Sequence, residues 1–181
     1  MMIHLRGLFL IVLFLVSIPK MEAQNDLNIG VGYYNDGEYE KAIKYLAPLA
    51  SNQKTNLLYQ TLLSSYLALK NYQEAENLNS NFIRNSRLNQ MELFTDKIYI
   101  FNLQGDERGA SKAFKEMQSK IRSNPSFAFA GATALQKKGY PQMALDVYDL
   151  AQQINPKYNF DYQRAQLYGE LGQVNKMYEM Y

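Results

Sequence analysis

Cysteine is absent from all 181 residues. Its absence excludes disulfides, thiol nucleophiles, iron–sulfur clusters and anchoring through an acylated cysteine. Tryptophan is absent too, and the single histidine is His4. Charge is sparse and mixed: charged residues make up 20% and the formal net charge is +2. A near-neutral chain with interspersed signs has no electrostatic case for nucleic acid, so that partner is set aside. Apolar residues make up 47%, enough for a sizeable core and against disorder. The aromatics are lopsided, with 15 Tyr and 9 Phe. Tyrosine suits half-buried seams, with its ring inside and its hydroxyl wet.

Long hydrophobic runs are also missing, with one short exception near the start. Arg6 precedes a nearly unbroken apolar stretch from Leu8 to Ile18, which Pro19 ends, and Ala23 offers a small residue before Gln24. This layout predicts a secretory signal peptide, Met1–Ala23, cut between Ala23 and Gln24. A span needs about 20 apolar residues, so no membrane span is expected once the leader is gone. Its removal takes away Arg6, Lys20 and Glu22. It also takes His4, so the mature chain should contain neither cysteine nor histidine. The expected location is exported: periplasmic or associated with the cell envelope.

What is present is a period. Ala42, Ala75, Ala110, Ala144 and Met177 follow one another at 33, 35, 34 and 33 residues. Each lies behind a turn: Asn35-Asp36-Gly37, Lys70-Asn71, Gly105-Asp106, Gly139 and Gly172. Apolar residues flank these turns at helical spacing, and no alternating strand pattern competes. A period of this length predicts tandem helix pairs, a first helix A and a second helix B, rather than one closed globule. Small residues on helix B let helix A approach, and large Tyr, Phe and Leu side chains fill the gaps. The predicted units are 24–55, 56–89, 90–124, 125–157 and an incomplete 158–181. Asn124 is placed to cap the fourth A helix, with Pro125 at its first position.

These residues carry a resemblance. Ile29-Gly30-x-x-Tyr33 on helix A, Ala110-x-x-x-Phe114 and Ala144-x-x-x-Tyr148 on helix B, and Pro156 before the next unit resemble the tetratricopeptide repeat family. The likeness covers Asn25 to Tyr181. It departs at Asp26 and Ala128, where the family places an aromatic, and at Arg87 and Arg122, where it places a closing proline. The resemblance implies an all-α fold, a right-handed α-solenoid of stacked antiparallel helix pairs. The chain is also similar to larger exported repeat proteins of Bacteroidota-type bacteria, as an N-terminal part of one.

The chemistry is thin. A mature chain without Cys or His offers no Cys–His pair, Ser–His–Asp triad or His-ligated metal site. Glu38 with Glu40, and Asp106 with Glu107, sit in the first turns of B helices, where negative charge complements the macrodipole. Gly30-Val31-Gly32 lacks the spacing and the preceding strand of a phosphate loop; close helix packing explains Gly30 better. No enzyme and no cofactor is expected. Arg84, Arg87, Lys112, Lys115, Lys120 and Arg122 form the densest basic stretch. Glu107 and Glu116 interleave with it, which predicts a solvated helix face.

By resemblance, ligands lie along the concave face of the A helices. The corresponding positions here are Leu27, Val31, Tyr34 and Asn35; Gln60, Ser64 and Leu67; Thr95, Tyr99 and Asn102; and Phe129, Thr133, Gln136 and Lys137. The family's chaperone adaptors clamp a C-terminal carboxylate with Lys, Arg and Asn on this face, the first Lys and Asn standing on the first A helix. Leu27 and Val31 stand in those places, so that clamp is missing. The neutral, amide- and aromatic-rich lining suits a peptide backbone or another helix. Tyr34, Tyr99 and Phe129 equally suit packing between A helices, and the sequence leaves both roles open. The expected function is a non-enzymatic scaffold binding a protein or peptide. The alternative is an assembly module of an envelope complex, stacking through its incomplete last unit.

Overall fold

In a computed structural model the described residues are 25–180. The expected leader, its cut before Gln24, and Tyr181 lie outside them. Ten α-helices and no strand occur among the described residues. They are α1 over 25–35, α2 Tyr39–Leu46, α3 Asn56–Ala68, α4 Tyr72–Asn85, α5 Gln90–Leu103, α6 Glu107–Ser123, α7 Ala128–Lys137, α8 Pro141–Ile154, α9 Asp161–Glu170 and α10 Val174–Glu179. Odd-numbered helices are the A members and even-numbered helices the B members. Two compact units are distinguished, divided between Leu78 and Asn79, within α4. The fold is all-α, built in each unit from packed helix pairs in the manner of an α-solenoid.

The turn inside each pair explains the period. Gly37, Gly105, Gly139 and Gly172 all take positive φ, from 70° to 83°. In the second pair the same place is held by Lys70 at φ 57°, the one positive-φ non-glycine residue among those described. Every one of these residues stands five before its anchor at 42, 75, 110, 144 or 177. The bonding is identical each time. Gly139 N–H donates to Gln136 C=O at 2.9 Å, and Tyr140 N–H donates to Leu135 C=O at 2.9 Å. The same two bonds close the turns at Gly37, Lys70, Gly105 and Gly172. This is a Schellman ending, which satisfies two carbonyls that the helix C-terminus leaves over and needs one left-handed residue.

The helix starts are capped by side chains that suit them. Thr55 accepts from Leu58 N–H, Asn89 from Met91 N–H and Asp106 from Gly109 N–H. Asn124 caps as expected, accepting from Ser126 N–H. Pro125, however, opens a short 3₁₀ turn, Pro125–Phe127, and α7 proper begins at Ala128. A second 3₁₀ turn, Pro48–Ser51, follows α2.

Burial follows the small-residue anchors. Ala42, Ala75 and Ala144 are fully buried and Ala110 nearly so. Gly30 is close-packed for a concrete reason: a Cβ there would come within 2.5 Å of the Leu46 side chain. In the C-terminal unit α5 packs on α6, α7 on α8 and α9 on α10, while α5 also meets α7 and α6 meets α8. Met91, Phe94 and Ile98 of α5 meet Met117 and Ile121 of α6, and Leu135, Tyr148 and Phe160 continue the same core. Each such side chain, once fully buried, contributes about 1.5–3 kcal/mol. Asn79 lies in that interior and donates to Leu93 C=O at 2.9 Å.

Candidate peptide-binding face

The expected lining recurs at fixed distances before the left-handed turn residue: ten, six, three and two positions upstream. In the N-terminal unit Val31, Gln60, Ser64 and Leu67 are half-buried, Asn35 is exposed and Leu27 is buried. Tyr34 is half-buried with its ring centroid 5.9 Å from that of Tyr39 on α2. Its ring therefore contributes to packing within the first pair. Tyr33 beside it stacks on Tyr45 at 5.6 Å.

The C-terminal unit shows more. Thr95 does not line the face: it is 1% exposed, and its hydroxyl donates to Met91 C=O at 2.9 Å. Tyr99 is half-buried beneath Lys138, whose ammonium stands 4.6 Å from the ring centroid. The same ammonium lies 2.9 Å from Oδ1 of Asp96, a nearly buried carboxylate. Asn102 Nδ2 donates to the Tyr140 hydroxyl at 2.9 Å. Gln136 Nε2 donates to Oε1 of Glu170. Thr133 is half-buried and hydrogen-bonds Tyr148. Burial pushes the Tyr148 phenol above its ordinary pKa, and the Thr133 bond opposes that rise. Burial likewise raises Tyr66, with Glu74 adding to it.

The polar positions are thus brought together as braces between successive A helices: α5 to α7 through Asp96, Tyr99 and Lys138, and α7 to α9 through Gln136 and Glu170. Sequence reasoning missed Asp96, Lys138 and Glu170. No local signal marks them, because each partner lies 34 or more residues away. Tyr162 of α9 was missed as well: it is 60% exposed. Phe129, at the same register in α7, is 54% exposed. The repeat alignment itself would have paired these two rings, since both lie ten residues before a left-handed glycine.

No cluster of three His, Cys, Asp or Glu side chains that could hold a metal ion occurs among the described residues. No helix among them is long and apolar enough to cross a membrane. No family model matches the sequence, and no curated protein does. Solved structures do. A crystal structure of MamA protein is 15% identical, with a TM-score of 0.46 over 87% of each chain. A Podosopora anserina putative kinesin light chain with TPR-like repeats is also 15% identical, with a TM-score of 0.46, over 88% of this chain and 91% of that one. The helix-pair architecture described above rests on this chain's own turns and contacts.

Proposed function

We propose that this chain is an exported scaffold that binds a protein or peptide through the faces of its A helices. The observation that carries the proposal is the pair Phe129 and Tyr162. Two large rings left more than half in solvent, at one register of consecutive A helices, cost hydrophobic free energy that a partner would recover. In the same unit Tyr99 lies under Lys138, and Asn102, Thr133 and Gln136 are held by intramolecular hydrogen bonds, so little side-chain entropy would be lost on binding. Val31, Tyr34, Asn35, Gln60 and Ser64 provide the corresponding face of the N-terminal unit. A neutral lining of rings and amides suits an apolar helix or an extended backbone.

The test begins with peptides selected from a displayed random library against the full chain. Phe129→Ala with Tyr162→Ala should weaken their binding at least about tenfold, the scale of losing two ring anchors, with the melting temperature unchanged. Retained binding at retained stability rejects the face. Export is tested separately: N-terminal sequencing of the protein from the envelope fraction should begin at Gln24, and recovery only from the cytosol rejects it.

A second reading has its own observation. Tyr178 on α10 is 69% exposed, whereas Leu145, its counterpart on α8, is 2% exposed. Val174 on α10 is 48% exposed as well. This surface supports end-on stacking of a further helix pair in an envelope assembly. If so, Tyr178→Asp should dissolve concentration-dependent association seen in sedimentation; identical sedimentation of parent and variant removes this reading.

A further inference from the structure

The outer surface of α6 carries charge that the fold does not use. Arg108, Lys112, Lys115, Ser119 and Arg122 follow at intervals of four, three, four and three residues. At the helical turn angle these five lie within about 80° of one another, a single stripe roughly 21 Å long. All five are exposed. The carboxylates of α6 lie off it, Glu107 about 100° to one side and Glu116 about 80° to the other. Glu116 is committed inward, to Lys97 of α5, with Nζ 2.7 Å from Oε2. The sequence predicts a solvated helix face, and these side chains are exposed; the interleaved glutamates nonetheless leave the stripe's charge uncancelled. Among the described residues, no carboxylate is within ion-pair distance of Arg108, Lys112, Lys115 or Arg122.

We propose that this stripe docks an acidic segment of a protein partner. The cations rise along the axis by about 6, 4.5 and 10.5 Å, the spacing at which glutamates recur on one edge of a helix. Charge complementarity of this kind steers encounter and fixes register. A flat anionic bilayer fits less well. Helix α8 packs beside α6, and at the matching register it carries the partly exposed Asp146, and Asp149 paired with Arg164, but no cation, so a flat negative surface would find no continuation of the stripe there. Single-stranded nucleic acid fits less well again, because the stripe holds no aromatic ring on which a base could stack.

Fluorescence anisotropy of a labelled oligoglutamate peptide with the full chain tests this. The combined K112Q, K115Q and R122Q variant should bind about tenfold more weakly or worse, and parent affinity should fall steeply with salt. A control that removes as many charges elsewhere, K44Q with K157Q and K176Q, should stay within about twofold of the parent. These substitutions are on exposed side chains, and a circular dichroism melt confirms folding. The proposal is overturned if the stripe variant binds like the parent, or if both triple variants lose affinity equally. It is also overturned if phosphatidylserine vesicles or an oligothymidylate bind at least as tightly with the same dependence on the stripe.

Discussion

Residues 25–78 and 79–180 follow one helical period but brace it with different chemistry. In the N-terminal unit, Gly30 lets Leu46 approach and Tyr33 stacks on Tyr45. Its ion pair Lys41–Glu38 joins near neighbours in sequence and is exposed. In the C-terminal unit, charged and amide groups span successive helices: Asp96 to Lys138, Asn102 to Tyr140, Gln136 to Glu170, and Arg164 to Asp149 at 2.9 Å. The sign of charge differs as well. Six carboxylates face four cations over 25–78, and ten face thirteen over 79–180. The difference teaches that the period constrains seams and turns, while side chains between pairs are free to diverge. Polar braces of this type fix register more than they add stability, since desolvation offsets most of their attraction.

If seams are common to both units, overfilling them should hurt both alike. Ala42→Leu and Ala144→Leu, each at a fully buried anchor, are expected to cost about 2–3 kcal/mol by overpacking. Chemical denaturation would read it, and a cost confined to one unit breaks the comparison. The braces should matter in the C-terminal unit only. Lys138→Met leaves nearly buried Asp96 without its cation; with Lys138 itself partly exposed, the expected cost is about 1–2 kcal/mol. An unchanged denaturation midpoint would remove the brace from the account.

Smaller again is the turn at Lys70, where a lysine holds the left-handed backbone that glycine holds in the other four pairs. Lys70→Gly should stabilise by about 1 kcal/mol, and Gly139→Ala should destabilise by a similar amount. A Lys70→Gly protein that melts below its parent would show that the lysine side chain earns its place by contacts.

The smallest effect concerns pH and is shared by both units. Tyr66 and Tyr148 are raised above 10.0, chiefly by burial. A folded pKa above the unfolded one gives stability that is fully present below about pH 10 and is lost as pH rises through the folded value. Tyr66→Phe and Tyr148→Phe should therefore each flatten the alkaline limb of a stability–pH curve. An alkaline limb as steep in both variants as in the parent would show that these phenols are not its source.

Much of the architecture was legible because its signals are local. A left-handed residue five positions before a buried alanine needs only the turn and the helix after it. Asn124 and Asp106 could be read as helix-start residues for the same reason. Pro125 was read one turn too simply, because a 3₁₀ entry and an α entry share the same first residue. The face was less legible. Tyr34, Tyr99 and Phe129 are alike in a sequence, yet Tyr34 packs on Tyr39, Tyr99 lies under Lys138 and Phe129 stays in solvent. Glu116 could be read only as interleaved with the basic stretch of its own helix, and its partner is Lys97 on the preceding one.

The residue types and their spacing determined the helix pairs, their turns and the small-residue seams, since hydrogen bonding and backbone strain act over a few residues. Only the tertiary structure decided which rings remain uncovered and which charges are cancelled. Those outcomes depend on side chains a full repeat away, where solvent, helix and counter-charge compete for the same atom.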